Sequence, residues 1–320
     1  MKIARQVVLG TAMALAAFGR APAQDWPTRN VTVVVPVPAG VASDIIARVV
    51  FEQVGRQVGQ SFVIENRPGA GGTIGANTVA KAAPDGHTIL VYGSIAAANA
   101  LYAQLPYDTV ADFTPVVPFG ETPLVVVTAV GRYKTLAELL AAAKAKPGEL
   151  NYSTVGIGSA AHFGAVRLAV SAGVTVQHIP FKGQEWLADT IAGRVDFSVP
   201  PVTTVIGLIR DGKLKALAVG AAKRADSLPD VPTLIEAGLK ADAIYPFYTG
   251  AYLPSKTPRT IVDKLHDEVI QALALPSVQE RLTKIGVEKL PMTVAEFETF
   301  FKDDVANNLA LVKEADIPRQ

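Results

Sequence analysis

Apolar positions along the chain alternate between short β-branched runs and stretches with helical spacing. The run Val31–Val35 predicts a buried strand, and apolar residues at 45, 46, 49, 50, 54 and 58 predict a helix over Ser43–Val58. The same patterns predict strands at Phe62–Glu65, Thr88–Tyr92, Leu124–Val130, Tyr152–Thr154, Val195–Val199 and Ala216–Val219. They predict helices at Ala76–Ala82, Leu136–Lys144, Ala160–Ser171, Val205–Asp211, Arg259–Leu273, Val278–Ile285 and Val294–Glu314. This alternation indicates βαβ units and mostly parallel sheets flanked by helices.

The length of the chain predicts two α/β lobes. A single core rarely grows to the size that 320 residues require. Because the sequence contains no long Gly/Ser linker, we expect ordered segments to join the lobes near Glu121–Gly131 and Ala243–Leu253. The first lobe is then discontinuous, comprising 24–125 plus 248–320, and the second lobe comprises 126–247.

The first 23 residues have the pattern of a secretory signal peptide. A basic start, Met1–Arg5, precedes the apolar run Val7–Phe18 and the small-residue site Ala21-Pro22-Ala23. The apolar run is shorter than the roughly 20 residues of a membrane-spanning helix. We therefore expect cleavage after Ala23, secretion through the inner membrane and a soluble mature chain in the periplasm.

Composition excludes several classes of function. The 30 Lys and Arg balance 29 Asp and Glu, which leaves no basic excess for a nucleic-acid backbone. The absence of Cys removes disulfides, thiolate metal sites and cysteine nucleophiles. The four His lack metal-ligand spacing, so we expect neither a metal nor a cofactor. The glycine-rich run 69–75 lacks the Lys-Ser/Thr of a P-loop and the spacing of a dinucleotide turn. We interpret it as a strand-to-helix turn that needs positive φ and close backbone approach.

The loop Pro36–Asp44 joins the first predicted strand to the first predicted helix. Ligands of α/β proteins bind at the carboxyl ends of parallel strands, and helix N-termini there offer free N–H groups to an anion. Ser43 or Asp44 occupies the expected N-cap position, and Asp44 is expected to cap or orient the helix and face away from an anion. A plain capped turn remains the alternative.

A second loop, Gly156–His162, has two interpretations. Ser159 and His162 are three residues apart, a spacing at which side chains meet across one helical turn. A serine hydrolase would still need an acidic partner and an oxyanion hole, and neither is identifiable. In the simpler interpretation Ser159 is the N-cap of a helix and the loop binds a ligand. This loop, like the loop before it, contains no Lys or Arg.

Six collinear motifs resemble the substrate-binding proteins of tripartite tricarboxylate transporters, the Bordetella uptake gene-type periplasmic receptors. The resemblance covers essentially the whole mature chain. The motifs are VVVPVPAGVASDIIARVV (33–50), VIENRPGAGGTIGANTVAKAAPDGHTIL (63–90), LPYDTVADFTPV (105–116), NYSTVGIGSAAHF (151–163), HIPFKGQEWLADTIAGRVD (178–196) and DGKLKALAVGAAKRADSLPDVPTLIEAG (211–238).

The resemblance implies a two-lobed, type II-like periplasmic binding protein that closes on a small organic carboxylate. It implies a receptor, not an enzyme, that acts as a monomer and delivers its ligand to membrane permease subunits. Two alternatives remain open: an exported hydrolase that uses Ser159 and His162, and a ligand-loaded sensor for a signalling kinase. Carried over to this chain, the implied ligand-binding residues are Ala39, Gly40, Val41, Ala42, Ser43, Ser94, Gly158, Ser159, Ala160, His162 and Phe181.

Three departures from the family pattern predict a more apolar pocket. The usual Pro-Gly-Gly of the first loop is Ala39-Gly40-Val41 here, which replaces a Gly by an apolar side chain. The usual Tyr before Lys-Gly is Phe181, and the usual Trp before Gly250 is Tyr248. A dicarboxylate, a tricarboxylate and an aromatic acid all remain candidates for the ligand.

Overall fold

A computed structural model describes residues 26–93 and 95–319. Their strands are β1 (Val31–Val35), β2 (Phe62–Asn66), β3 (Thr88–Tyr92), β4 (Phe113–Glu121), β5 (Leu124–Ala129), β6 (Asn151–Thr154), β7 (Gln177–Pro180), β8 (Phe197–Ser198), β9 (Leu214–Gly220) and β10 (Tyr248–Pro254). Their helices are α1 (Ala42–Val58), α2 (Thr73–Ala80), α3 (Ile95–Leu101), α4 (Leu136–Ala145), α5 (Ala160–Ala172), α6 (Glu185–Ile191), α7 (Val202–Arg210), α8 (Arg259–Ala274), α9 (Pro276–Lys284) and α10 (Val294–Glu314).

The first sheet has the strand order β2-β1-β3-β10-β4. Strands β1, β2 and β3 are parallel, whereas β10 pairs antiparallel with both β3 and β4. The β-branched run of β1 suits a central strand, because Val33, Val34 and Val35 are fully buried between helices on the two faces. The C-terminal helices α8 and α10 pack against this sheet.

The second sheet has the order β7-β6-β8-β5-β9. Strand β6 is parallel to β7 and β8, and β5 runs antiparallel to β8 and β9. Each sheet is therefore mixed, with one antiparallel strand among parallel ones. The predicted two-lobed α/β fold is confirmed, with one lobe built on each sheet.

The lobes are joined where β4 of the first sheet passes into β5 of the second. Residues 122–123 form this crossing, and Thr122 N donates to Phe247 O (2.8 Å) just before β10. The crossing at 122–123 thus lies beside the second crossing, where the chain returns from the second lobe into β10. A third segment joins them, since Glu121 and Glu288 exchange backbone hydrogen bonds of 2.9 and 2.7 Å. The predicted joining segments consist largely of strands β5 and β10.

Several elements differ from those that periodicity predicted. Helix α2 begins at Thr73, three residues before the predicted start, because a tight turn over 70–72 leads directly into it. Strand β4 was not predicted, since Pro115 and Pro118 interrupt its pattern. Four further unpredicted elements are α3, α6, β7 and β10. The predicted signal peptide, 1–23, lies outside the described residues, and none of the described helices is long and apolar enough to cross a membrane.

Candidate ligand-binding cleft

A cavity of about 500 Å³ lies between the lobes, where the carboxyl ends of parallel strands from both sheets face each other. Its walls come from loops that follow β1, β2, β6 and β7 and from the first turns of α1, α5 and α7. Most lining side chains are Pro, Ala, Val, Ile or aromatic. The lining residues are Pro36, Val37, Pro38, Val41, Ala42, Ser43, Pro68, Gly69, Ala70, Gly71, Gly72, Tyr92, Tyr102, Val155, Gly156, Ile157, Ser159, Ala160, Ala161, Pro180, Phe181, Lys182, Trp186, Pro200, Pro201, Thr204 and Phe247.

Helix α1 begins at the cavity without a side-chain cap. Val41 is the N-cap, and its side chain makes no capping hydrogen bond to the helix. The predicted cap, Ser43 or Asp44, is wrong because both residues lie inside the first turn. The first N–H groups of a helix have no intrahelical partner and carry a partial positive charge. Ala42 and Ser43 therefore present backbone donors at the cavity wall.

Asp44 is turned away from the cavity and organises the loop before α1. Its carboxylate accepts from Gly40 N (2.9 Å), from Asn66 Nδ2 (2.9 Å) and from Arg48 Nε (3.1 Å). Burial alone would raise the pKa of Asp44, but these hydrogen bonds and the Arg48 charge lower it below its ordinary value. Asp44 is thus a paired carboxylate that holds the loop, and it is not among the lining residues.

Helix α5 begins on the opposite wall with Ser159 as its N-cap, as predicted. Ser159 Oγ accepts from His162 N (3.3 Å) and donates to Gly156 O (2.8 Å). Ala160 and Ala161 follow in the first turn and line the cavity. The N-termini of α1 and α5 therefore face the same cavity, and both offer backbone N–H groups to it.

Two stacked histidines lie beneath the loop 156–160. The rings of His162 and His178 are 4.2 Å apart, centroid to centroid, with an interplanar angle of 16°. His178 Nε2 hydrogen-bonds Thr154 Oγ1 (2.7 Å), which also accepts from Gly156 N (3.0 Å). Burial, reinforced by the neighbouring His178, lowers the pKa of His162 to about 3, and burial lowers that of His178 to about 4. The pair is a neutral support for the loop.

The two walls touch across the cleft. Gln184 Nε2, next to α6 in the second lobe, donates to Ala39 O in the first lobe (2.9 Å). A Cβ added at Gly71 would lie 2.8 Å from Ile157 O, so the backbones of the two loops approach closely. Gly71 has φ 58°, a conformation that favours glycine. The structure is therefore that of a closed cleft.

Comparison with known proteins identifies the family. The sequence profile described as "Tripartite tricarboxylate transporter family receptor" matches residues 46–317. The chain belongs to this family. A UPF0065 protein in the tcbD-tcbE intergenic region of Pseudomonas sp. strain P51 is 36% identical over 316 residues, covering 97% of this chain and 94% of that protein.

Solved structures show the same fold. MatC of Rhodopseudomonas palustris with bound malate superposes with a TM-score of 0.84 and 33% identity, covering 90% of this chain and 100% of MatC. Rpa4515 of R. palustris with adipate superposes with a TM-score of 0.87 and 33% identity, covering 92% of this chain and 99% of that protein. The chain is thus a solute-binding receptor of the periplasmic binding-protein class and not an enzyme.

The geometry of the receptor gives the hydrolase hypothesis no support. Ser159 Oγ contacts the backbone N of His162, whereas the imidazole accepts from Gly158 N at 3.4 Å through Nδ1. The low pKa of His162 further weakens it as a base, because a general base works best with a pKa near the operating pH.

The residues predicted from sequence fall into four groups. Ala39 and Gly40 are exposed at the rim, where Ala39 O accepts the hydrogen bond from Gln184, while Gly158 and His162 are buried behind the wall. Ser94 lies outside the described residues. The predicted residues that line the cavity are Val41, Ala42, Ser43, Ser159, Ala160 and Phe181.

Sequence reasoning missed much of the cavity wall. The run Pro68–Gly72 forms the predicted strand-to-helix turn, but it also lines the cavity. Its need for glycine was a usable signal: a Cβ at Gly72 would lie 2.6 Å from the Tyr92 hydroxyl. Trp186 and Phe247 carry no local motif, and only the closure of the lobes places them in one wall. Tyr248 does not line the cavity and donates to Asp304 Oδ2 (3.0 Å).

Proposed function

We propose that this receptor captures a small organic carboxylate between its lobes in the periplasm and delivers it to a membrane permease. The observation that carries the proposal is that two helix N-termini converge on one apolar cavity. No Asp or Glu is found among the described residues that line it. In this arrangement the N–H groups at Ala42 and Ser43, and those at Ala160 and Ala161, take one carboxylate between them.

The comparisons support the ligand class. MatC is named with malate and Rpa4515 with adipate, and both are carboxylates. We assign the first contacts to Val41, Ala42 and Ser43 on one wall and to Ser159 and Ala160 on the other. Phe181 forms part of the apolar wall.

Ligand binding is coupled to closure of the lobes. An open form binds the ligand on one helix end, and closure brings the second helix end to the carboxylate. The ligand favours the closed form only by its higher affinity for it. Exclusion of water then strengthens the N–H to carboxylate hydrogen bonds. The division of the chain into lobes at 122–123 and again just before β10 is part of this proposal.

A thermal-shift screen tests the proposal. The secreted protein is unfolded, freed of bound ligand and refolded, then screened with aliphatic, hydroxylated and aromatic acids, each beside its amide. An acid at about 100 times its dissociation constant should stabilise the protein by about 2.7 kcal/mol. That is a shift of several degrees for a chain of this size. Stabilisation by acids but not by amides is the expected result, and no shift with any acid overturns the proposal.

A further inference from the structure

The wall of the cavity holds two side-chain donors besides the helix ends of α1 and α5. Trp186, the second residue of α6, lines the cavity and is 2% exposed, yet its Nε1 has no hydrogen-bond partner among the described residues. Thr204, in the first turn of α7, also lines the cavity, and its buried Oγ1 has no partner within residues 26–93 and 95–319. A buried donor of this kind costs free energy unless an acceptor reaches it.

An unpartnered buried donor does not by itself indicate a ligand. Trp26 Nε1 and Thr203 Oγ1 are also buried without a partner in the part of the chain that the structure describes, and neither residue lines the cavity. Trp186 and Thr204 differ from these two in position, because each forms part of the wall. Trp26 and Thr203 are therefore matched controls, of the same residue type and equally buried.

Helices α6 and α7 lie on the opposite face of the second sheet from α5. Val125 and Val127 of β5 pack in one core cluster with Trp186 and with residues of α7. Leu124 and Val126, which point to the other face, pack in a second cluster with residues of α5. The three helices follow β6, β7 and β8, so all three begin at one edge of the sheet. The N-terminus of α5 and the donors of α6 and α7 are therefore separate parts of the wall.

The chemistry of these donors specifies what they bind. An indole N–H can only donate, so the partner of Trp186 must be an acceptor, such as a carboxylate, carbonyl or hydroxyl oxygen. The Thr204 hydroxyl can donate to the same class of atom. The backbone of α7 contributes less, because Val202 N donates to Pro123 O (2.9 Å) and Thr204 N to Pro201 O (3.0 Å). The partial positive charge at this helix end still favours an oxygen with negative charge.

We infer that Trp186 Nε1 and Thr204 Oγ1 form a second polar subsite of the cavity, which binds an acceptor oxygen at the end of the ligand remote from the carboxylate held by α1 and α5. This inference rests on the proposed function and deepens it, because it assigns the residues that distinguish a bifunctional acid from a simple one. The ligand is then an acid with a second oxygen function, as in a diacid, a keto acid or a hydroxy acid.

Matched acids and matched variants test the inference by isothermal titration calorimetry on the ligand-free protein. Whichever of adipate, malate and terephthalate binds most tightly is paired with the acid in which a methyl group replaces the distal carboxylate: hexanoate, 2-hydroxybutanoate or 4-methylbenzoate. Trp186→Phe removes the N–H and keeps an aromatic ring, and Thr204→Val removes the hydroxyl at nearly constant volume. We expect each variant to weaken the diacid roughly tenfold, the loss of one hydrogen bond to a charged group, and to change the affinity of the monoacid less than twofold. Trp26→Phe and Thr203→Val should leave both affinities within about twofold of the original.

The indole N–H signals give a second test in the unaltered protein. The chain contains two Trp, so two indole signals are expected in a ¹H–¹⁵N spectrum, and Trp26→Phe identifies the one that belongs to Trp186. We expect the diacid to move the Trp186 signal downfield, as a new hydrogen bond does, while the Trp26 signal stays in place. A Trp186 signal that does not respond to the diacid, equal loss of both acids in the variants, or equal or tighter binding of the monoacid overturns the inference and leaves the proposed function intact. Absence of binding by every acid overturns both.

Discussion

The side-chain amide of Gln184 donates a hydrogen bond across the cleft to the backbone oxygen of Ala39, over 2.9 Å. The two residues are 145 positions apart and belong to different lobes. Their contact exists only when the cleft is closed. It therefore adds to the stability of the closed form without touching the cavity lining, and it links ligand affinity to lobe closure.

Gln184→Leu should weaken ligand affinity by about 0.5–1.5 kcal/mol, the usual contribution of one hydrogen bond. The cause is the loss of closed-state stability, so the ligand-free melting temperature should change little. Calorimetry measures the affinity, and small-angle X-ray scattering measures the closed fraction. Gln177→Leu is the matched control, because Gln177 donates to Gly148 O within the second lobe. An equal loss of affinity in both variants would contradict stabilisation of the closed form by the Gln184–Ala39 hydrogen bond.

Val41→Ser should stabilise the ligand-free protein and weaken ligand binding. A serine at the N-cap of α1 gives that helix a side-chain acceptor, which contributes about 0.5–2 kcal/mol. The same hydroxyl competes with the ligand carboxylate for the N–H groups at 43 and 44. Chemical unfolding and calorimetry measure the two effects.

Leu275→Ser provides the control for this change. Leu275 is the N-cap of α9, also without a side-chain cap, and lies outside the described cavity lining. The variant Leu275→Ser should raise the free energy of unfolding and leave the affinity for the ligand unchanged. If Val41→Ser strengthens binding, the carboxylate does not use the N-terminus of α1.

Gly71→Ala should hold the cleft open. The added Cβ would meet Ile157 O of the other lobe at 2.8 Å and would strain a backbone with positive φ. Gly59→Ala carries comparable strain at φ 68° but meets nothing within 4 Å. We expect both variants to lose about 1 kcal/mol of stability, and Gly71→Ala alone to lose ligand affinity and show an expanded scattering profile. Wild-type affinity in Gly71→Ala would contradict closure through this contact.

The stacked pair of His162 and His178 predicts a loss of stability in acid. Because both folded pKa values lie below 6.5, at about 3 and about 4, the unfolded chain binds more protons between those values and pH 6.5. This contribution is complete above pH 6.5 and is lost as the pH falls from 6.5 to about 3. His178→Gln should flatten the decline in unfolding free energy over this window. His266→Gln, on α8, is the control for losing a histidine outside the pair.

Asp304 predicts a pH dependence of opposite sign. Burial raises its pKa to about 6, although hydrogen bonds from Tyr248 and Asn308 oppose the shift. The folded state therefore binds the extra proton, and stability from this group is complete below pH 3.8 and lost as the pH rises through 6. Asp304→Asn should raise the free energy of unfolding relative to the original protein. The gain should be larger at pH 7.5 than at pH 4, by on the order of 1–3 kcal/mol. Equal effects at both pH values would contradict burial of the charge.

Local patterns predict some elements well. Helix α10 (Val294–Glu314) has the bounds that its periodicity indicated, because Thr293 and Glu296 form a capping box that fixes its start. Strand β1 was also predictable from local sequence, since its five successive residues are all β-branched and suit a buried strand. Strands β4 and β10 escaped prediction because the pairing of β4, at the edge of the first sheet, with β10 beside it overrides Pro115, Pro118 and Gly250.

The site residues likewise divide into those that local patterns predict and those that only tertiary contacts bring to the cavity. Ser43 and Ser159 were predictable, because loops after parallel strands line clefts in α/β proteins. The position of Ala39 at the rim depends on its contact with Gln184 of the other lobe, a tertiary arrangement that spacing does not reveal. Trp186, Phe247 and Gly71 join the wall only when the lobes close.

A crystal structure of the protein with its tightest-binding acid tests the central claim most directly. We predict one carboxylate oxygen within hydrogen-bond distance of the backbone N of Ala42 or Ser43, and the other within reach of the N of Ala160 or Ala161. The body of the acid should lie against Phe181 and Phe247. A carboxylate bound at Lys182 with both helix ends unoccupied, or an acid bound outside the cleft, would contradict the assignment.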